Sequence, residues 1–126
     1  MMPMSIKDSQ MNIEKMKVKV RPTFVKVITF GFAAAICLWP FGIYLAKDKY
    51  LNNKELINHE SIHWKQQIEM LGIFFYLWYL FEWIAKLFIY GKQAYNNLSF
   101  EREANAHEDD LDYLATRRCY AWFKYL

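Results

Sequence analysis

A chain of 126 residues is one domain with a modest core. Hydrophobic residues are 55 % and aromatics 19 % against 23 % charged, so apolar residues are gathered in blocks, and a net charge of +3 suits a membrane surface and not a nucleic acid. The 2 cysteines, Cys37 and Cys119, sit in apolar or aromatic surroundings without CxxC spacing, which argues against a disulfide framework and a thiolate metal site.

Met1 to Pro22 is polar and basic, with Lys15, Lys17, Lys19 and Arg21 alternating along it. It predicts a partly disordered, solvated arm over 1–22, without the short apolar core and small-residue cleavage site of a removable signal. Residues 23–126 are the domain proper. Val27 to Leu45 carries no charge. As a helix rising about 1.5 Å per residue it just crosses the hydrocarbon layer. Pro40 and Gly42 support a second reading, in which the segment breaks at Pro40. A buried helix or strand then precedes it, and Phe41 to Tyr50 is an extended strand, the kind of edge along which a peptide substrate lies. Both readings stand.

Asn53 caps a helix running to about Met70, with Glu55 in its first turn. On that helix His59 and His63 are one turn apart on one face, so both imidazoles reach a single metal ion. Glu60, about 100° round from His59, stands beside such an ion, where a general base for a zinc-activated water belongs. The bland alternative is a surface helix that happens to carry two of the chain's 3 histidines. Gly72 marks an end or a bend. Ile73 to Tyr90 is aromatic and aliphatic except for Glu82 and Lys86, whose spacing and order suit an ion pair on the solvated stripe of an interfacial helix. Gly91 to Leu98 is a loop by composition. Ser99 caps a last helix reaching about Thr116, with Phe100, Ala104, His107, Leu111 and Leu114 on its packing stripe. The tail from Arg117 to Leu126 mixes cations and aromatics, and reads as an interfacial anchor or a clamp over the core.

A catalytic zinc takes three protein ligands and keeps a fourth position for water. His59 and His63 supply two, and the acid-rich stretch 101–110 is the obvious source of the third. His59-Glu60-x-x-His63 followed by Glu101-x-x-Ala104-Asn105 resembles the gluzincin metallopeptidases, in particular the prenyl-protein endopeptidase and heat-shock membrane protease group. The resemblance covers roughly residues 55–116. It implies Glu101 as the third ligand, with Asn105 orienting a liganding histidine. Glu103 lies in the same acidic turn and is no farther from the packing stripe, so the residues alone leave Glu101 and Glu103 open. No well-placed oxyanion-binding residue is evident; His107, Tyr113 and Tyr120 are the candidates.

If Glu101 and His63 hold one ion, they lie on the same side of any bilayer. A straight span over 73–90 would put its far end about 30 Å away. That helix is therefore expected to fold back as a hairpin partner, on or shallowly in the membrane. The fold expected is mainly α with minor β. Helices 54–70 and 99–116 face each other across zinc, an aromatic helix 73–90 covers them, and a small strand or hairpin lies near 30–50. The expected function is hydrolysis of a peptide or protein substrate, with Zn(2+) as cofactor and membrane lipid as a partner. His59, His63 and Glu101 would be the metal ligands and Glu60 the base. The competing reading is a non-catalytic, membrane-associated protein with a structural or vestigial metal site. A third is an adaptor whose basic arm and aromatic tail bind lipid or a protein.

Overall fold

The structure, a computed structural model, describes residues 18–126; the greater part of the expected basic arm, residues 1–17, lies outside them. The described chain is mainly helical, beside a small three-stranded sheet. Strands β1 (Val18–Val20), β2 (Ala35–Leu38) and β3 (Gly42–Leu45) lie in the order β1-β3-β2. β2 and β3 form an antiparallel hairpin with Cys37 opposite Ile43, while β1 runs parallel to β3 with Val18 opposite Ile43. The end of the arm is thus part of the fold. Val18-Lys19-Val20 has the period of a strand, valines half-buried against the sheet cluster and Lys19 exposed. Pro22 then opens helix α1 (Pro22–Ile28), at a position where its missing N–H costs nothing.

The continuous-helix reading of 27–45 is overturned. α1 stops at Ile28, Phe30 and Gly31 take positive φ of 54° and 79°, and the chain returns as the β2–β3 hairpin. The reading broken at Pro40 holds in outline. Its strand is shorter than expected, because β3 ends at Leu45 and Asp48–Asn52 is a 3-10 turn. β3 is also the central strand, since β1 takes its second side; the sheet edge facing the helices is β2. Ala35, Cys37, Ile43 and Leu45 form the buried cluster of this layer, with Leu56 and Trp64 packed on it.

Those two residues belong to α2 (Lys54–Glu69), whose first turn is capped as expected, the Asn53 side chain accepting from Leu56 N at 3.0 Å. Leu71 and Gly72, at φ 55° and 71°, turn the chain into α3. A Cβ on Gly72 would stand 3.0 Å from the Trp39 ring, so glycine lets the hairpin tip close over this turn. α3 (Ile73–Tyr90) has its expected limits, and the loop after it is wound into 3-10 turns at Gly91–Gln93 and Tyr95–Asn97.

The last helix is shorter than expected: α4 covers Ser99–His107, and Tyr113–Thr116 is a separate short helix, α5. Buried Asn58 on α2 explains the break. Its Nδ2 donates to His107 O, Glu108 O and Asp110 O at 3.3, 3.0 and 2.9 Å, drawing aside carbonyls that a continuing helix would have used. Asp110 Oδ1 then accepts from Asp112 N at 3.1 Å, a local turn bond that competes with helix.

Glu82 and Lys86 do not line a solvated stripe. Glu82 is 4 % exposed. Its carboxylate accepts from Ser99 N and Ser99 Oγ, each at 2.5 Å, and from Trp78 Nε1 at 3.1 Å. Lys86 Nζ pairs with Glu82 at 2.8 Å and also donates to Asn97 O. The start of α4 is therefore capped by a carboxylate from α3, at the positive end of the helix, and not by Ser99 acting on its own helix. Phe75, Phe100 and Trp122 fill the space beside it, so the tail is a clamp on the core. On the other side of α3, Leu77, Leu80, Phe81, Ile84, Leu87 and Phe88 are exposed. Among the described residues, α3 with its continuation to Gln93 is the one helix long and apolar enough to cross a membrane.

Candidate metal centre

α2 and α4 pack through Ile62 and Ala104, and beside this small apolar contact their facing side chains are polar. His59 and His63 project from one face of α2 toward Glu101 in the first turn of α4. His59 Nε2 stands 3.2 Å from His63 Nε2 and 3.2 Å from Glu101 Oε1, and His63 Nε2 stands 2.9 Å from Glu101 Oε2. Donors about 2.1 Å from a tetrahedral ion stand roughly 3.4 Å apart. Two imidazoles and one carboxylate already near that spacing could hold a metal ion, and their chemistry is compatible with zinc; among the described residues no fourth ligand joins them.

Hydrogen bonds behind the rings decide which nitrogens face this point. His59 Nδ1 lies 3.1 Å from Glu108 Oε2. A carboxylate only accepts, so Nδ1 keeps its hydrogen, and Nε2, which faces Glu101, is the nitrogen an ion would engage in place of a proton. His63 Nδ1 lies 2.7 Å from Gln66 Oε1 and is held the same way. Asn105, expected to orient a histidine, is exposed. The wheel gives the reason: residue 105 is about 40° from residue 101, whereas residue 108, two turns on, is only about 20° away. Glu108 takes the place that the resemblance implied for Asn105.

Charge follows the same geometry. Burial alone would raise the Glu101 carboxyl, but His63 beside it and the hydrogen bonds of both histidines hold it well below the usual carboxylate range. Burial would lower the His63 imidazole, but the charge and hydrogen bond of Glu101, with Glu60 and Gln66 adding to them, push it up to about 10. Glu60, next to His59 in sequence, is 6 % exposed. Burial raises its carboxyl above the ordinary value, while His63 and His59 pull it partly back. Among the described residues no hydrogen bond occupies that carboxyl.

Glu103 points elsewhere. Its buried carboxylate accepts from Arg117 Nε at 2.5 Å, Arg117 Nη2 at 3.0 Å, Tyr113 OH at 2.7 Å and Gln66 Nε2 at 3.0 Å. The structure therefore brings Glu101, and not Glu103, to the two histidines. The three residues considered for an oxyanion also belong to this rear network. His107 stacks on Tyr113 at 3.8 Å with its Nε2 3.0 Å from Tyr125 OH, Tyr113 serves Glu103, and Tyr120 bonds Glu69 through its N and its OH, each at 2.9 Å.

The tyrosines near the metal residues are Tyr79 and Tyr95. Burial, and then the charge of Glu101 and Glu60, pushes both phenols up. A signal for Tyr79 was present in the chain. Phe75, Tyr79, Glu82 and Lys86 fall on one stripe, and reading the ion pair as inward-facing would have selected it. Gln67 was missed as well. Its Nε2 donates to Cys37 O at 2.9 Å and its Oε1 accepts from Trp39 N at 2.6 Å, so α2 is fastened to the β2 edge by a side chain. No family model, curated protein or solved structure matches the chain.

Proposed function

We propose that the chain is a zinc-dependent hydrolase of peptide bonds working at a membrane surface. The observation that carries this is the convergence of His59, His63 and Glu101 with a buried acid, Glu60, immediately beside them. A structural site needs only its ligands, and an adjacent carboxyl free of hydrogen bonds is what a proton transfer needs. When bound, zinc supplies Lewis acidity toward a carbonyl and a water. The chain's own residues do the rest. Glu108 and Gln66 hold the two rings with their Nε2 atoms forward, and Glu101 adds the negative charge that favours a cation. Glu60, its pKa raised by burial, takes a proton from the attacking water and passes it to the leaving amine. The gluzincin-like motif points to the same reaction.

The exposed face of α3 supports the location. Eighteen residues make a helix about 27 Å long. An upright span would carry Ser99, tied to Glu82 midway along α3, and the adjoining metal residues into hydrocarbon. Lying in the interface, the helix buries its apolar side and keeps the site at the surface.

Metal analysis and peptide-library hydrolysis by detergent-purified wild type and Glu60→Gln test the reading. About one zinc per chain is expected in both, with hydrolysis reduced about 10²- to 10⁴-fold in the variant. Zinc in both with no cleavage by either would leave a structural site. Recovery of monodisperse protein without detergent would remove the membrane.

A further inference from the structure

Resting on the metal-site reading above, we propose that Gln66 is a positioning residue for His63 and that Glu103 and Arg117 act on the metal site through it. An imidazole binds a metal through whichever nitrogen lacks a hydrogen, and the group facing the other nitrogen decides which that is. Facing His63 Nδ1 is the Gln66 amide oxygen, at 2.7 Å. A glutamine amide can turn end for end without changing its volume, and the turned form would offer NH₂ to Nδ1 and leave Nε2 with the hydrogen. What prevents the turn is on the far side of the amide. Its Nε2 donates to Phe100 O at 3.1 Å and to Glu103 Oε1 at 3.0 Å, and neither partner can donate in return.

Glu103 is itself kept an acceptor by its surroundings. Arg117 and Tyr113 aim three donors at it, and Arg117 is fixed from behind by Glu69, with Nη1 and Nη2 bonding the Glu69 carboxylate at 3.0 and 2.9 Å. Gln66 and Glu103 are each 0 % exposed, so water does not substitute for any of these partners. Donation from both sides therefore converges on Glu103: from His63 to Gln66 and on to Glu103, and from Arg117 and Tyr113 to Glu103. The segment following α5, far from the motif in sequence, thereby fixes the ligand atom that His63 presents.

Zinc affinity of the full chain, measured by competition with a chromophoric chelator, tests the proposal in two ways. Gln66→Leu removes the acceptor and is expected to weaken binding about 10- to 100-fold. Gln66→Glu keeps an acceptor facing His63 but sets two buried carboxylates together. It should also weaken binding, and adding Glu103→Gln, which restores a donor–acceptor pair between the two side chains with the roles exchanged but not the donation to Phe100 O, should recover most of that loss. If Gln66→Leu does not fold, this exchange carries the test alone, and failure of the double variant to recover overturns the proposal. Loosening of the fold is separated from positioning by Val25→Ala, a cavity in the α1–sheet layer, which should leave zinc affinity unchanged. In the zinc-loaded state a slowly exchanging His63 Nδ1–H proton resonance is expected for wild type and the exchanged pair, and is expected to be lost in Gln66→Leu. Tight binding by wild type with equal binding by Gln66→Leu, or equal losses in Val25→Ala, overturns the positioning role alone. A wild type that takes up no zinc overturns the metal site and this role together.

Discussion

Between α2 and α4 the buried side chains include Asn58, Glu60, Ser61, His63, Gln66, Glu101 and Glu103, whereas the outward side of α3 exposes leucine, isoleucine and phenylalanine. The two regions reverse the usual arrangement, polar within and apolar without. Leaving a buried polar group unpaired costs roughly 1–3 kcal/mol, so the first region persists only because nearly every member has a partner. Exposing a large apolar side chain forgoes roughly 1.5–3 kcal/mol, so the second calls for another apolar phase against it. Mean hydropathy alone would put α3 inside and α2 outside. What sends α2 inward is the network its polar residues complete, and what sends α3 outward is that Phe75 and Glu82 are its only buried residues.

The sharpest way to break this contrast is to remove one hub of the polar interior. Arg117, 4 % exposed at its side chain, holds both Glu69 and Glu103. Burial alone would raise the Glu103 carboxyl, and the hydrogen bonds from Arg117, Gln66 and Tyr113 hold it below its ordinary value instead. Arg117→Ala strands both acids, and about 3–5 kcal/mol of stability should be lost, read from urea unfolding in the same detergent. Glu103→Ala removes the other half of the buried pair and should lose stability of the same order as Arg117→Ala. A loss under about 1 kcal/mol for both would mean that the interior is solvated and the contrast false.

The outer face of α3 should respond in the opposite manner. Leu77→Glu and Phe81→Glu alter exposed positions, so folding stability should change by no more than about 0.5 kcal/mol each. Partition onto vesicles containing anionic lipid should fall about 10- to 100-fold per substitution, the worth of one buried apolar side chain. Unchanged partition, with a concentration-dependent dimer lost instead, would assign the face to a second copy of the chain.

How far the sequence was legible follows the same division. α2 and α3 could be placed from local signals, the Asn53 cap and an unbroken apolar run, and both lie within a residue or so of the expected limits. The His59/His63 spacing is a property of one helix and needs no tertiary information. The sheet was harder, because β1 pairs with β3 across the whole of α1 and β2, and no local pattern encodes a parallel partner so distant. Glu82, Asn58, Gln66 and Glu108 were misread or missed for a shared reason. Each is a polar residue whose meaning lies in a group elsewhere in the chain, Ser99, the carbonyls at and just after the end of α4, Glu103 and His59 respectively.

Acidity sharpens the account of the interior further. Without metal, His63 is raised from its ordinary 6.5 to about 10 despite its burial, chiefly by Glu101. Its contribution to stability is therefore complete below about 6.5 and is lost as pH rises through about 10. Glu101 is held below its ordinary 4.5, so its contribution is present above that value and is lost as pH falls. The metal-free fold should accordingly weaken toward both extremes. Zinc must displace a proton from His63, so affinity should rise about tenfold per pH unit between about 7 and 10, with about one proton released. Calorimetry in two buffers of different ionisation enthalpy counts that proton, and a flat affinity over this range would mean that His63 and Glu101 are not paired in the metal-free protein.

The smallest effect decides between the resemblance and the geometry at one position. By resemblance Asn105 orients a liganding histidine, while in the structure Asn105 is exposed and Glu108 Oε2 stands 3.1 Å from His59 Nδ1. Loss of such a partner weakens metal affinity by about 10- to 100-fold. Glu108 is 37 % exposed at its side chain, so water can replace part of what it supplies, and the expected loss for Glu108→Ala lies near the lower end, about tenfold. Glu108→Gln can still offer an amide oxygen to Nδ1 and should recover most of that loss, which a general loosening of the α4 end would not reproduce. Asn105→Ala should leave zinc affinity unchanged. The opposite ranking, with Asn105→Ala costly and Glu108→Ala silent, would require α4 to turn by about 60° about its axis. Such a turn would also swing Glu101 away from His63, so the same zinc titration would then have to find a weaker wild-type site.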